Sequence, residues 1–600
     1  MKVDGVRNSN LQALEWQTTP SSSMYKRAPS SKFLKSFRKY CCGDGSTALK
    51  QYSHEGKMEV TRENFNEVIA TLEDVFKKAA FLTFDTEFTG LRVEGATGGN
   101  YFDTLDDLYV KDRFKAETFM AIQYGITAFL YDNTEKRFTH QAYNFYVFPS
   151  DYKDMNFTCQ TKSITFLIEN GFDFNKLFGQ GIPYLKDSEV EKLLENLSEK
   201  QYKPQQFQTA MRGDTAPETM AIVNSVMTKI EDILESNSKE TFVTEIYNSF
   251  LRRHIYCAVQ KKYGFDIFVE TNKDKSMTIA VGYSEVELKE LQVESYLKQK
   301  HEILEEAGFT KVIKLIMESK KLLVGHNLLA DILFTIQQFL TPLPNSYSEF
   351  KELVNFLFPK ILDTKYLVST MNLESLKDTS LSNIIEYYEN AKKLPQVEVC
   401  ENGQGYHYTD KKYHQAAYDS YMTGLAFLSM LNDLGLNIES LSLQNYVNKL
   451  SVRKMHDISY MNIGGKDAEP DRRGVYHLTF PKDWKRDHIT GLFKNCGFVN
   501  ISWINNTSAF IKVKSDFIKE VETTLMNSNS NYKLCTYAEF RNSNLLQNEL
   551  LPSLMQGNKE ENFTNNDSIV TQDTNDSSKK RSLEDIGEVI ERPPKKLSVS

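Results

Sequence analysis

The sequence predicts an α/β (α+β) protein whose largest domain is a mixed sheet with helices on its faces. Residues 79–88 form an apolar, strand-prone run, and two further runs rich in aromatic and β-branched residues follow at Phe119–Tyr131 and Ala142–Phe148. An amphipathic helix is predicted at Phe65–Lys77, before the first of these strands. Three strands followed by several helical patterns are typical of a sheet that packs against helices.

Composition narrows the classes of protein to which this chain can belong. Its 600 residues suggest about three to five domains, and 40% hydrophobic with 25% charged residues is typical of globular cores. The net charge of −8 argues against a broad basic surface for nucleic acid, although it allows a basic groove within an acidic protein. Seven cysteines without zinc-ligand spacing indicate a reducing intracellular compartment. No apolar stretch approaches about 18 residues, so no transmembrane helix is predicted.

Beyond the first strands, the chain carries an insert and then returns to the main domain. Residues 217–262 are helical in pattern and precede two short strands at 267–270 and 277–281, which predicts a small inserted α/β domain. The charged run 285–306 is a solvated helix that leads back. The remaining elements of the main domain are a strand at 321–327, a helix at 328–340, a strand at 358–365 and a long amphipathic helix at 414–434.

The composition shifts after residue 436, where the predicted order of elements is βαββαβ between residues 475 and 537. The two ends of the chain are polar and poor in apolar residues, which predicts disorder. Six segments follow: a disordered N-terminal extension (1–57), the first half of the main domain (58–215), the insert (216–285), the second half (286–436), a small C-terminal domain (437–545) and a disordered tail (546–600).

Two carboxylates, Asp85 and Glu87, lie at the end of the first strand. Because side chains on a strand alternate with a period of two, both project from the same face. Neighbouring acids repel each other unless a cation lies between them, and oxygen ligands suit hard cations such as Mg²⁺ or Mn²⁺. For an isolated Asp-x-Glu, a polar strand end with two solvated acids is the simpler explanation.

Acidic residues later in the chain favour a metal site over a solvated strand end. Asp331 lies on the helix predicted at 328–340, and His414 precedes Asp419 by five positions. Several carboxylates can hold two cations about 4 Å apart, one activating a water and the other stabilising the leaving oxygen. A neutral histidine can take the proton from that water. Together with Asp85 and Glu87, these residues supply the carboxylates and the histidine that a two-metal site for phosphodiester hydrolysis requires.

The chain between about Met58 and Tyr537 resembles the DEDDh class of 3′-to-5′ exonucleases, which are ribonuclease H-like, and within that class the poly(A)-specific ribonucleases. The resemblance is carried by residues 84–88, 144–149, 171–176, 181–185, 325–327, 362–365 and 418–421. It implies a hydrolase that shortens poly(A) tails of RNA from the 3′ end and releases 5′-AMP. It also implies two Mg²⁺ ions as cofactors, for which Mn²⁺ can substitute.

The resemblance implies roles for individual residues as well. The metal ligands would be Asp85, Glu87, Asp331 and Asp419, with His414 as the general base. The residues that would hold the 3′-terminal adenosines are Phe88, Leu91, Ile164, Phe166, Asn327 and Lys365. For the apolar members of this set, ordinary core packing is the competing explanation.

The insert resembles the R-three-H module, a binder of single-stranded nucleic acid named for an Arg-x-x-x-His motif. Tyr256 stands at the histidine position after Arg252, and His254 is displaced. The resemblance therefore predicts the helical scaffold of that module rather than the phosphate contact of its motif.

The C-terminal segment resembles an RNA-recognition motif, in which aromatic side chains on the central strands stack on bases. Tyr476 and Phe510 are the aromatics that this chain offers there. Trp503 resembles the cap-stacking tryptophan of the family. An indole face suits the positively charged ring of a 7-methylated guanine. A buried core tryptophan is the alternative.

Three functions are compatible with these residues. The resemblance favours a deadenylase, active in mRNA decay and in non-coding RNA 3′-end maturation. The alternatives are a trimmer of small-RNA 3′ ends and a catalytically silent RNA- or cap-binding protein. The family also implies a homodimer. Basic clusters at 579–581 and 593–596 are typical of a nuclear import signal or of an ordinary polar tail, so nucleus and cytoplasm are expected, without membrane association.

Overall fold

The computed structural model describes residues 58–93, 101–153, 155–202, 216–376, 378–401, 403–453, 455–526 and 531–543. The predicted N-terminal extension, the predicted tail and the two basic clusters of that tail lie outside these residues. Within the described part of the chain, every helix is too short or too polar to cross a membrane.

Strands alternate with helices along most of this length. In chain order, the strands are β1 (Glu59–Val60), β2 (Phe81–Phe88), β3 (Ala121–Asp132), β4 (Arg137–Tyr146), β5 (Glu240–Val243), β6 (Phe268–Thr271), β7 (Met277–Val281), β8 (Leu322–Gly325), β9 (Ile361–Asp363), β10 (Glu398–Val399), β11 (Lys449–Ser451), β12 (Tyr460–Asn462), β13 (Val475–Thr479), β14 (Asn500–Asn505), β15 (Ser508–Lys512) and β16 (Lys533–Thr536).

The α-helices are α1 (Phe65–Lys78), α2 (Leu105–Thr118), α3 (Thr161–Glu169), α4 (Phe174–Gln180), α5 (Asp187–Tyr202), α6 (Pro217–Glu235), α7 (Ser249–Tyr263), α8 (Glu285–Glu305), α9 (Thr310–Ser319), α10 (Leu329–Thr335), α11 (Tyr347–Leu357), α12 (Thr364–Thr370), α13 (Leu381–Asn390), α14 (Ala416–Leu434), α15 (Arg486–Leu492) and α16 (Ile518–Glu520). A π-helical turn, Ile336–Leu340, continues α10.

The centre of the main domain is a seven-stranded mixed sheet. Its hydrogen-bonded order is β1-β4-β3-β2-β8-β9, with β10 paired to β4. Strands β2, β3 and β4 are antiparallel neighbours, whereas β8 runs parallel to β2 and β9 runs parallel to β8. Because β2 has a partner on each edge and helices on each face, Phe81–Phe84 is buried throughout, as its continuous apolar sequence predicts.

Both faces of the sheet carry apolar cores. On one face, α1 and α9 contribute Phe76 and Ile313 to the largest cluster. On the other face, α14 packs across β2 and β3, where the Phe81 ring stacks on Phe129 at a centroid distance of 4.7 Å and meets Phe427 edge-on at 5.1 Å. The helix α14 is therefore hydrophobic nearly all round, as expected for a helix buried in a core.

The insert has its own small core. Strands β5, β7 and β6 form an antiparallel sheet in that order, and α6 and α7 pack on it through residues such as Ile230 and Ile255. The continuous helical pattern expected over 217–262 is wrong in one respect: it is interrupted by β5. With only four residues, Glu240–Val243 is too short for its hydrophobic periodicity to distinguish a strand from the helices on either side.

The C-terminal domain has the expected order βαββαβ, and its antiparallel sheet has the strand order β14-β15-β13-β16. The hairpin of β11 and β12, however, contributes Leu450 and Met461 to the core of the main domain. The structure thus differs from the boundary placed at residue 437, because the apolar residues of this hairpin pack against β9 rather than against β13–β16.

One glycine sets the spacing between the sheet and α14. Gly125 lies opposite Asp85 in the antiparallel register, and a Cβ atom there would lie 1.9 Å from the backbone carbon of Ala416. Such a distance is far inside van der Waals contact, so any larger side chain would push the start of α14 away from β3.

We expect Gly125→Ala to lower the free energy of unfolding by about 3 kcal/mol, because the atom it clashes with belongs to the backbone and cannot rotate away. Urea unfolding followed by circular dichroism measures this change. The matched control is Gly179→Ala in α4, where a Cβ meets nothing within 4 Å. Equal stability of the two variants would show that the close approach at Gly125 does not constrain the fold.

Candidate active site

The carboxyl end of β2 presents two half-buried acids on the face that α14 covers. Asp85 lies opposite Gly125 and Glu87 lies opposite Gln123 in the register with β3. Side chains at i and i+2 of a strand share a face, as the sequence predicts. A register shift follows between Glu87 and Phe88, so the regular pairing ends directly after the two acids.

Two buried polar side chains of the sheet fix the start of α14 above these acids. The Gln123 Oε1 atom accepts a hydrogen bond from the Ala416 N–H at 3.0 Å, and the Asn144 Oδ1 atom accepts one from the Ala417 N–H at 3.2 Å. These N–H groups have no partner within the helix, so the two amides cap it from the sheet. Neither residue was predicted to act here, although polar side chains inside apolar strands were a usable signal.

The segment before α14 carries His414, and here the structure corrects the expected helix. The helix begins at Ala416 rather than at His414, whose φ of +66° is not helical. This turn lets the His414 N–H donate to Asp419 Oδ2 at 2.9 Å. Ligand atoms of Glu87, His414 and Asp419 consequently lie within 4.8 Å of one another, a group that could hold a metal ion.

Asp331 reaches the same end of β2 from α10. Its carboxylate is buried and accepts a hydrogen bond from the Thr86 hydroxyl, so it is tied to the residue between the two acids of β2. Burial and the charges of Asp331, Asp419 and Glu87 raise the pKa of Asp85 well above its usual range. The structure therefore places all four predicted acids close enough to interact electrostatically.

The remaining acids are perturbed in the same direction. Burial followed by the charges of Asp419 and Asp331 raises the pKa of Glu87, and burial raises the pKa values of Asp331 and Asp419. In the described part of the chain, no lysine or arginine is among the groups that shift these pKa values. A cluster of buried carboxylates without cationic partners fits hard divalent cations as compensation.

Three of the predicted substrate residues lie beside this cluster. Leu91 follows β2, and its N–H donates to Gln160 Oε1 at 3.2 Å. Gln160 precedes α3, which carries the half-buried Ile164 and the exposed Phe166. The Phe166 ring meets the His414 ring edge-on at a centroid distance of 4.7 Å. Exposure of 43% for Leu91 and 42% for Phe166 argues against core packing for these two.

Phe88 is less exposed than Leu91 and Phe166. Its half-buried ring packs on Phe334 at a centroid distance of 4.4 Å and on the main core. Core packing therefore accounts for a large part of its contacts.

Asn327 and Lys365 are brought together by a residue that the sequence analysis did not single out, Asp363. This fully buried carboxylate accepts hydrogen bonds from the N–H groups of both residues at 2.8 and 2.9 Å, and also from Leu328 and Ser451. It holds Asn327 at a φ of +62°.

A second residue that the sequence analysis did not single out joins this group from outside the predicted main domain. Arg453, which follows β11, donates from Nε to Asn327 Oδ1 at 2.6 Å. Burial, followed by the charge of Arg453, lowers the pKa of Lys365. Arg453 thus contacts the turn that carries Asn327, and the charges of Lys365 and Arg453, after burial, lower the pKa of His326 in the same turn.

The C-terminal domain uses its sheet face differently from the stacking surface expected for an RNA-recognition motif. Tyr476 points into the domain core. Phe510 is buried under Phe102 of the main domain and Phe540, which follows β16, at centroid distances of 5.9 and 5.2 Å. The two aromatics that the sequence offers for base stacking are therefore both buried, because the sheet face is a packing surface.

Trp503, in contrast, is 41% exposed and meets the Phe480 ring edge-on at 5.4 Å, which excludes the alternative of a buried core tryptophan. In the insert, the Arg252 guanidinium donates to the Tyr247 carbonyl, and the Tyr256 hydroxyl donates to the Val269 carbonyl at 3.3 Å. His254 is buried, with Nδ1 2.9 Å from the Phe250 carbonyl. The motif residues therefore serve the local fold of the insert.

Comparisons with known proteins agree with this architecture. Residues 60–427 match the CAF1 family ribonuclease, and residues 465–543 match an RNA binding domain. The poly(A)-specific ribonuclease PARN of Xenopus laevis is 34% identical over 513 residues, covering 80% of this chain and 81% of that protein. Human PARN is 34% identical over 514 residues, covering 80% of each. The pre-piRNA 3′-exonuclease trimmer of Bombyx mori is 26% identical over 515 residues, covering 81% and 94%.

A mixed sheet with clustered acids at the end of its central strand, followed by an RNA-binding domain, defines a ribonuclease. This chain belongs to the CAF1 ribonuclease family, among the poly(A)-specific ribonucleases. The predicted fold class and the resemblance stated from sequence are thereby confirmed.

The cluster of like charges predicts how a substitution and added Mg²⁺ change the melting temperature. Asp85→Asn keeps the shape of the side chain and removes one like charge, so in EDTA its melting temperature should exceed that of the wild type by about 2 °C or more. Added Mg²⁺ should stabilise the wild type by several degrees, as a ligand of the folded state does, and the variant much less.

Differential scanning fluorimetry gives both values, with Asp483→Asn as the control, since Asp483 is exposed in the C-terminal domain. A variant that gains as much stability from Mg²⁺ as the wild type would argue against Asp85 as a ligand.

Proposed function

We propose that this ribonuclease removes adenylate residues one at a time from RNA 3′ ends and releases 5′-AMP. The observation that carries the proposal is the convergence of Glu87, His414 and Asp419 at the end of β2, within reach of Asp85 and Asp331. The similarity to poly(A)-specific ribonucleases along 80% of the chain supports the choice of poly(A) as substrate.

The four carboxylates of Asp85, Glu87, Asp331 and Asp419 would hold two divalent cations, Mg²⁺ or Mn²⁺. When bound, such ions supply an activated water and stabilise the leaving oxygen. The protein contributes the arrangement of the carboxylates, which Gln123 and Asn144 secure by capping α14. Because the acids repel one another, this arrangement binds a cation more tightly than separated carboxylates would.

His414 is the general base in this proposal. Burial lowers its pKa, so the imidazole is neutral at neutral pH and can accept a proton. Two contacts position His414: its backbone N–H donates to Asp419, and its ring lies against Phe166. The second contact connects the base to a residue proposed to hold the terminal adenosines.

The proposed adenosine site has two sides. Leu91, Ile164 and Phe166, together with the exposed part of Phe88, offer apolar surface for base faces. Asn327 and Lys365 offer an amide and a cation, both positioned by Asp363. Apolar faces with a few polar groups are the usual composition of a pocket that selects one base.

The test is hydrolysis of two RNAs that differ only at the 3′ end, oligo(A) and oligo(U), with Mg²⁺. We expect single-nucleotide shortening of oligo(A) and much slower loss of uridines. Asp419→Ala should lower the rate by about three orders of magnitude with folding intact. The control is Asp433→Asn, at the other end of α14. Equal rates on both RNAs would favour a trimmer of 3′ ends, and a fully active Asp419→Ala would remove the site assignment.

We also propose that Trp503 stacks on a 7-methylguanosine cap. Its 41% exposure supports this role, because a stacked base needs an accessible indole. Trp503→Ala should weaken cap-analogue binding about tenfold or more, since one stacked base contributes roughly 1–3 kcal/mol. Hydrolysis of uncapped RNA should continue.

Quenching of tryptophan fluorescence by cap analogue measures this change, with Phe356→Ala, an exposed aromatic in α11, as the control. Unchanged quenching in Trp503→Ala would assign the signal to another tryptophan. Collapse of both activities with a lowered melting temperature would mean that Trp503 stabilises the fold instead.

Two further proposals follow from the family resemblance. The chain forms a homodimer in which the insert helps to enclose RNA; a mass of 69.2 kDa by light scattering, with full activity, would contradict this. The enzyme acts in the nucleus and the cytoplasm.

A further inference from the structure

A cavity of about 550 Å³ lies in the main domain outside the site described above. Its walls come from the end of α2, the two residues before β3, residues 152–153 and 155–157, and the first turns of α5. A volume of this size is within the range of small-ligand pockets, which are about 300–1,000 Å³.

The cavity adjoins the turn that follows the catalytic strand β2. The Thr89 N–H donates to the Met120 carbonyl at 2.8 Å, and the Thr89 hydroxyl donates to the Thr158 carbonyl at 2.8 Å. Phe119, which lines the cavity, lies so close to Gly90 that a Cβ there would be 2.4 Å from its ring. One wall of the cavity is therefore the back of the turn that presents Leu91 to the proposed adenosine site.

The cavity carries uncompensated positive charge. Its two glutamates are already paired, Glu189 with Lys153 at 2.9 Å and Glu117 with Arg113 at 3.3 Å. Two further lysines line the walls, Lys186 and Lys192, and neither forms an ion pair with a described residue. Burial and the neighbouring Lys153 charge lower the pKa of Lys186, and together they outweigh the charge of Glu189, which raises it. An anion in the cavity would relieve this repulsion.

Exposed apolar side chains lie at the same place. Tyr152 is 44% exposed, Met155 43% and Phe157 37%, all on the segment that leads from the cavity to Gln160 and α3. Lysines beside accessible aromatic rings are the combination by which proteins bind single-stranded RNA, with the cations on phosphates and the rings on base faces. This composition is specific neither for adenine nor for a 3′ end.

We propose that this cavity binds the RNA strand upstream of the 3′-terminal adenosines, with Lys186 and Lys192 on phosphates and Tyr152 and Phe157 against bases. The proposal rests on the exoribonuclease function proposed above and adds a second contact region for the same substrate. A strand held at both places is retained while its end is shortened, so the enzyme favours substrates long enough to reach the cavity.

The first test compares long and short substrates. For Lys186→Gln/Lys192→Gln, the ratio of kcat/KM on an oligo(A) of about 15 nucleotides to that on one of about 4 nucleotides should fall about tenfold. The slope of log(kcat/KM) against log[salt] on the long RNA should become shallower by about 1.4, since each phosphate contact on a single strand contributes about 0.7.

The control is Lys136→Gln/Lys392→Gln, which removes the same charge at two exposed turns and should leave the ratio as in the wild type. Equal losses on long and short RNA, or an unchanged ratio with an unchanged salt slope, would overturn the proposal. The second outcome would assign the lysines to a partner other than RNA.

The second test does not depend on catalysis. In an Asp85→Asn background, fluorescence anisotropy with a labelled RNA of about 12 uridines followed by three adenosines should show about tenfold weaker binding for the lysine pair variant, and a comparable loss for Tyr152→Ala. Binding as tight as in the background variant would overturn the upstream site. An enzyme that binds this RNA through the lysines yet does not shorten oligo(A) would instead contradict the proposed function alone.

Discussion

Repulsion among buried carboxylates is the constraint on which the rest of this structure depends. Four acids from three elements, β2, α10 and α14, converge where burial raises the pKa values of all four, and where the charges of neighbouring acids raise those of Asp85 and Glu87 further. Such a cluster is unfavourable for folding by itself, so neighbouring interactions must hold the elements together. The Thr86 hydroxyl on Asp331 and the His414 N–H on Asp419 each satisfy one carboxylate locally. The remaining stabilisation comes from the packing of the sheet.

That packing is arranged to bring backbones close where the acids lie. Gly125, opposite Asp85, allows the start of α14 to approach β3, and Gln123 and Asn144 then cap the helix from within the sheet. A larger residue at 125 would separate Asp419 from Asp85, whereas an apolar residue at 123 or 144 would leave helix N–H groups unpaired in the core. The geometry of the site is thus set by residues that never need to touch substrate.

Sequence reasoning succeeds where a local pattern has one structural solution. The period-two spacing of Asp85 and Glu87 fixes their shared face, and continuous apolar runs mark β2 and α14. It fails where the role of a residue depends on a distant partner. Asp363 organises Asn327, Lys365 and the hairpin strand β11 only because β8, β9 and β11 meet in the fold. Phe510 looks like a stacking aromatic until Phe102, more than four hundred positions away, covers it.

The covering of that sheet has an electrostatic consequence for a chain of net charge −8. Arg472 joins the two domains by pairing with Asp457 and donating to the carbonyls of Phe102 and Asp103. Its guanidinium is therefore not available to bind a phosphate. An RNA substrate therefore meets positive charge elsewhere than on this sheet. Lys365 and Arg453 near Asn327, and Lys186 and Lys192 in the lining of the cavity, are cations that form no ion pair with described residues. In an acidic protein, short-range pairs of this kind attract a polyanion within about one Debye length and leave the rest of the surface repulsive. Under the proposed function, these cations would define the path of the RNA strand towards the end of β2.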